Sequence, residues 1–136
     1  MTFVLDSSVA MSWLLPDETH AAADVIADRL LEQKAVVPTI WPIEVCNVLL
    51  VAQRRKRITL PDAQNLLKGL RQLPIEVEKQ GADDYQENVM AVAAKYSLSS
   101  YDASYLELAI RLDAPLATLD KKLAVACLKA KVSTLI

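Results

Sequence analysis

Thr2-Phe3-Val4-Leu5-Asp6-Ser7-Ser8 is the stretch on which the fold turns. Thr2 to Leu5 are β-favouring and mostly apolar, as a strand buried on both faces requires. Asp6 ends the run, and Ser7 or Ser8 can cap a helix over residues 9–15, which Pro16 stops. A strand that passes directly into a helix is the first half of a crossover unit.

The same alternation recurs along the chain. Ala35-Val36-Val37-Pro38 precedes a helix over 40–55, with Pro42 in its first turn and Arg54-Arg55-Lys56-Arg57 at its end. Ile75-Glu76-Val77 precedes a helix over 82–96 with Asp83 and Asp84 at its start. Pro115-Leu116-Ala117-Thr118 precedes a helix over 120–129, and Val132-Ser133-Thr134-Leu135 reads as a last strand. Ala22, Val25, Ile26, Leu30 and Leu31 give helical spacing over 19–33. Further helices span 61–72 and 101–112, the second opened by Ser99-Ser100. Short strands alternating with helices predict an α/β fold with a mostly parallel sheet covered on both faces, in one domain over 1–136.

Composition narrows the function. Hydrophobic residues make up 53% of 136 positions, enough to bury one core, and with two glycines and no low-complexity segment disorder is not expected. Fifteen basic against seventeen acidic residues leave a formal charge of −2, which argues against a coat of positive charge but leaves room for a local basic rim. Cys46 and Cys127 are isolated inside helical patterns, without the spacing of a zinc site or a disulfide framework. Asp6 breaks the early apolar run, and Pro38, Pro42 and Glu44 break the later one, so neither a signal peptide nor a membrane span is expected. The expected location is the cytoplasm.

Four carboxylates carry the chemistry. Asp6 and Asp120 follow strands and so project from the carboxyl edge of the sheet, where open parallel sheets bind ligands. Asp102 lies in the first turn of its helix. Each of these three also has a plain structural reading: Asp6 and Asp120 as helix caps, Asp102 as the acidic arm of a capping box with Ser99. Glu44 resists such a reading, because Trp41, Ile43, Val45, Val48, Leu49 and Leu50 leave its helix little polar face. A carboxylate buried there unpaired costs several kcal/mol or takes up a proton. A hard divalent cation, Mg²⁺ or Mn²⁺, relieves the repulsion of all four and activates water at neutral pH. His20, the only histidine, reads as solvent-facing at a helix start.

Phe3-Val4-Leu5-Asp6-Ser7-Ser8, Trp41-Pro42-Ile43-Glu44-Val45, Tyr101-Asp102-Ala103 and Leu116-Ala117-Thr118-Leu119-Asp120, in that order, resemble the PIN-domain nucleases, and within them the VapC-type toxins. The resemblance implies a three-layer α/β/α sandwich with four to five strands and a Mg²⁺- or Mn²⁺-dependent endoribonuclease. It assigns the metal to Asp6, Glu44, Asp102 and Asp120, with Thr118 and Ser8 in supporting positions. It further implies a homodimer held inactive by a small antitoxin, whose tail presents Arg to the acidic site. Trp13, Leu14 and Leu15 are candidates to line that groove, or else core residues at helical spacing. RNA contacts are expected from Arg54, Arg55, Lys121 and Lys122, with Tyr101 placed to stack on a base. Ser97 and Ala130 stand where relatives often carry helix-ending glycines.

Other chemistries fit less well. A haloacid-dehalogenase-type phosphatase wants a second Asp where Ser8 stands, and a phosphoacceptor receiver domain wants paired acids after the first strand. A catalytically silent nucleic-acid-binding module of the same fold would be favoured by loss of an acid, and all four are present.

Overall fold

β1 (Thr2–Leu5) forms where the apolar run demands it, with Phe3, Val4 and Leu5 fully buried. The computed structural model describes residues 1–15, 17–18, 20–79 and 84–135. After β1 come α1 (Ser7–Leu14), α2 (Ala21–Arg29), β2 (Lys34–Val37), α3 (Trp41–Arg54), α4 (Leu60–Arg71), β3 (Ile75–Val77), α5 (Tyr85–Tyr96), α6 (Ser100–Leu112), β4 (Leu116–Ala117) and α7 (Lys121–Lys129). The strands form one parallel sheet in the order β3-β2-β1-β4. Phe3 lies opposite Ala35, Leu5 opposite Ala117, and Val36 opposite Glu76.

This order fixes where a site can form. The chain steps from β1 to β2 to β3 in one direction, then returns past both to β4. Right-handed crossovers therefore place α1 to α4 on one face and α5 to α7 on the other. Helix packing agrees: α1 meets α2 and α3, and α3 meets α4, whereas α6 meets α5, α7, β1 and β4. The reversal falls between β1 and β4, so the crevice beyond their carboxyl ends is the topological switch point. The backbone N–H of Asp6 donates to the Ala117 carbonyl at 2.9 Å, locking the two strand ends together.

The α/β/α sandwich expected from the sequence is present, with differences in detail. Residues 132–135 do not extend the sheet: Thr134 makes one bridge to Leu116. β4 is only two residues long, so it offers no further ladder. Neither Ser7 nor Ser8 occupies the cap position of α1, which falls to Asp6. α2 is shorter than its apolar pattern, ending at Arg29, with Leu31 exposed. The predicted starts of the fifth helix at Ala82 and Asp83, and the stop at Pro16, lie outside the described residues. Among the described residues no helix is long and apolar enough to cross a membrane.

Helix ends follow local chemistry. Thr59 and Asp62 form a reciprocal capping box on α4. Ser97 ends α5 at φ 55°, the left-handed region where a glycine is favoured. Ala130 takes ordinary right-handed values, and it is Lys131 that turns left-handed at φ 60°. Ser97→Gly is therefore expected to stabilise the protein by roughly 1 kcal/mol, from the steric cost of a Cβ at positive φ. Thermal unfolding should rise by about 3–5 °C, and Ala130→Gly should give no such gain.

Candidate acidic site at the sheet switch point

Asp6 is the centre of the arrangement. Its backbone starts α1, yet its carboxylate makes no cap bond to that helix. The side chain, only 5% exposed, turns instead to two hydroxyls. Ser8 Oγ donates to Asp6 Oδ2 at 2.7 Å, and Thr118 Oγ1 donates to the same oxygen at 2.8 Å. Both hydroxyls are fixed in that sense by what they accept. Leu119 N donates to Ser8 Oγ at 3.0 Å, and Asp120 N donates to Thr118 Oγ1 at 3.0 Å. The loop from β4 to α7 thus orients two donors onto one oxygen of Asp6, which leaves Oδ1 for other work.

Asp120 caps α7 as its plain structural reading requires: Oδ1 accepts from Lys122 N at 2.9 Å and from Leu123 N at 3.2 Å. It is nonetheless close enough for its charge to act on Asp6 and Asp102. Asp102 shows one arm of the capping box, its backbone N–H donating to Ser99 Oγ at 3.1 Å. Its carboxyl is half-buried. Glu44, in the first turn of α3, is half-buried and accepts a hydrogen bond from the Tyr105 hydroxyl.

Asp6, Asp102 and Asp120 lie near enough for their charges to act on one another, and Glu44 is reached by Asp6 and Asp102. Burial pushes the Asp6 carboxyl above its ordinary value; Ser8 and Thr118 pull it back, and the charges of Asp102 and Asp120 add to the rise. Glu44 is raised by burial and by the charges of Asp6 and Asp102, against the Tyr105 bond. Asp102 is raised by burial and by Asp120, and lowered by Lys122. Even the buried Cys127 thiol, pushed up to about 11 by burial, feels Asp6.

Among the described residues, no three His, Cys, Asp or Glu side chains are arranged to hold a metal ion by themselves. The donor set still suits one kind of ion. It offers oxygen only, several mutually repelling charges, and an Asp6 oxygen free of hydroxyl partners. Mg²⁺ takes one or two carboxylates directly and keeps several waters, so an open acidic set of this kind fits it.

Other sequence-derived candidates divide. Lys122 lies close enough to act on Asp102, and Lys121 is exposed beside it. Tyr101 is 62% exposed and borders an apolar cavity of about 360 Å³ with Ile40, Tyr85, Val89 and Met90; none of the four acids lines it. Arg54 and Arg55 are exposed, but ten residues of helix separate Arg54 from Glu44, about 15 Å at 1.5 Å per residue. The helix end holds them apart from the acids, and Arg57 is tied to Asp17 and Glu18. Trp13 and Leu15 belong to the packing rather than to an open groove. Leu15 is buried, and Trp13 Nε1 donates to the Ala23 carbonyl at 2.7 Å. His20 caps α2, its Nδ1 accepting from Ala22 N at 3.3 Å.

The sequence reading missed Tyr105. A tyrosine in the apolar run of α6 reads as core, and it is indeed fully buried. The available signal was spacing: Tyr105 follows Asp102 by three residues and so shares its helix face.

Known proteins resemble this chain over nearly its whole length. Residues 3–128 match the family model for the PIN domain. Ribonuclease VapC3 from Pyrobaculum aerophilum is 27% identical over 124 residues, 91% of this chain and 93% of that protein. The crystal structure of PAE2754 from Pyrobaculum aerophilum superposes with a TM-score of 0.71 at 22% identity, covering 93% of this chain and 84% of that one. VapBC2 from Rickettsia felis, crystallised with a DNA fragment from its promoter, gives 0.69 at 10% identity, covering 98% and 97%. The last two likenesses concern the fold. The family match spans all four acids and the switch point between β1 and β4, and the chain belongs to the PIN-domain family.

Proposed function

We propose that this chain is a divalent-metal-dependent endoribonuclease and the toxin of a type II toxin–antitoxin pair. The observation that carries the reading is the convergence of Asp6, Glu44, Asp102 and Asp120 on one sheet edge, with their charges acting on one another. The ribonuclease relative and the match to a VapBC complex support it. Mg²⁺ or Mn²⁺ would be held by these four acids directly or through its waters, Asp6 and Asp120 from beyond the ends of β1 and β4, Glu44 from α3 and Asp102 from α6. When bound, such an ion lowers the pKa of a coordinated water and screens charge that develops on a phosphodiester.

The chain's own residues supply the rest. Ser8 and Thr118 keep Asp6 oriented, and their hydroxyls stabilise its ionised form in a buried setting. Asp120, pinned by its cap bonds, sets the position of the α7 start, where Lys121 and Lys122 are placed to meet RNA phosphate. Exposed Tyr101 offers a ring for base stacking next to Asp102. A small antitoxin is the expected partner. A second copy of the chain is a further expected partner. The proposed setting is the cytoplasm.

The test is cleavage of a defined structured RNA by the purified chain, followed on a denaturing gel. Cleavage is expected with Mg²⁺ or Mn²⁺, none with EDTA, and recovery when excess metal is restored. Cleavage indifferent to EDTA would remove the metal from the reading. No cleavage together with no heat of metal binding would leave a silent binding module as the better account.

A further inference from the structure

The Tyr105 hydroxyl is buried in the middle of α6, and its ring is 0% exposed. A phenol in such a place needs a hydrogen-bond partner, since an unbonded hydroxyl in an apolar setting is costly. Its partner is Oε1 of Glu44, from a helix on the other side of the sheet edge. Ser7, next to Asp6, approaches the same phenol. If the position served packing alone, phenylalanine would fill it without that cost.

We propose that Tyr105 is a positioning residue that holds the Glu44 carboxylate turned inward, toward Asp6 and Asp102. This rests on the metal-dependent reading above. Three circumstances make a holder necessary. Glu44 has three rotatable side-chain bonds and sits half-buried at a helix start, with exposed Pro42 and Ile43 beside it and water within reach. The charges of Asp6 and Asp102 oppose its inward placement. A flexible carboxylate under like-charge repulsion, with hydration on offer, swings outward. Tyr105 counters this with a ring that is locked by full burial and has only two side-chain torsions. Its hydroxyl is also a neutral donor. A lysine would pair with Glu44 and cancel its charge, whereas a phenol fixes the carboxylate and leaves the full negative charge for a cation. Tyr105 sits three residues after Asp102, so one face of α6 delivers both an acid and the group that orients another.

The test is Tyr105→Phe in the full chain, with three readouts. In the metal-free protein, three-bond couplings along the Glu44 side chain should report one rotamer in the wild type and averaging in the variant. Mn²⁺ affinity, measured by calorimetry without RNA, should fall roughly 10- to 100-fold, the range seen when a residue supporting a metal ligand is removed. In a Glu44→Ala background the same substitution should cause no further loss, because no carboxylate remains to be held. Averaged couplings already in the wild type would overturn the proposal, and that measurement stands even if the variant folds poorly. Unchanged Mn²⁺ affinity in Tyr105→Phe, or an equal loss with and without Glu44, would also overturn it, by making Tyr105 a packing residue. A wild type that binds no Mn²⁺ would instead refute the metal-dependent reading, and the couplings would still decide whether Tyr105 holds Glu44.

Discussion

Asp6→Asn is expected to cut metal-dependent RNA cleavage severely and, at neutral pH without metal, to raise the melting temperature by a few degrees. The two effects share one cause. Asp6 is nearly buried and close to the charges of Asp102 and Asp120, so its ionised form is disfavoured in the folded chain. Asparagine has the same shape and no charge. Because Ser8 and Thr118 both donate to Oδ2, an asparagine carbonyl in that place keeps both bonds and turns its amide toward the neighbouring acids. An amide donor facing carboxylates is favourable, and it cannot serve a cation. Losing a ligand of the proposed metal should lower cleavage by roughly 100- to 1000-fold, a few kcal/mol of transition-state stabilisation at about 1.4 kcal/mol per tenfold.

The pH dependence has a definite sign. The folded-state pKa of Asp6 lies above its unfolded value, so the folded chain binds the proton more tightly. This contribution is fully present below the unfolded pKa and is lost as pH rises through the folded one. Wild-type stability without metal should therefore decline upward from about pH 4, and Glu44 and Asp102, also raised, act in the same direction. Asp6→Asn should flatten part of that decline and converge with the wild type under acid conditions. Saturating Mg²⁺ or Mn²⁺ should reverse the order, stabilising the wild type by about 2.7 kcal/mol at a hundred times Kd and the variant little. Melting curves across pH, with and without metal, check each statement. A variant less stable than wild type at neutral pH without metal would mean that the hydroxyl pair requires a carboxylate.

Asp6 also shows why so much of the site was legible. A charged residue directly after a buried strand, or alone in an apolar helix, departs from its surroundings, and the departure survives in a single sequence. Glu44 is the clearest instance, since its helix gives it little polar company. The strands were readable for the opposite reason: Phe3, Val4 and Leu5 are apolar without interruption because both faces of β1 are covered. Where the reading failed, the missing information was spatial. Residues 132–135 have strand character, but their fate depended on β4 offering only Leu116 and Ala117 to pair with. Tyr105 belongs to the same class. What distinguishes it from a core tyrosine is a partner 61 residues away.

Arg111→Met should give a large loss of stability without touching the acids. Arg111 Nε donates to Glu107 Oε1 at 2.7 Å, and one terminal nitrogen reaches Glu107 Oε2 at 3.0 Å and Glu78 Oε2 at 2.8 Å. The two carboxylates are almost out of solvent, with side chains 6% and 10% exposed. Methionine keeps the aliphatic stem but leaves two nearly buried negative charges facing each other. Breaking a buried pair costs about 3–5 kcal/mol. Arg111 itself is 42% exposed, so water screens part of the interaction, and about 2–3 kcal/mol is the better expectation. That corresponds to a fall of roughly 6–15 °C in melting temperature. Arg111→Lys should recover only part, since an ammonium cannot fork between two carboxylates. Adding Glu107→Gln to Arg111→Met should recover more, because it removes one of the stranded charges. The bridge ties α6 to the segment after β3, and α6 carries both Asp102 and Tyr105. At temperatures well below the lowered midpoint, metal affinity in Arg111→Met should therefore match the wild type. A loss of affinity there would show that the bridge also sets the angle at which α6 presents its two residues to the site.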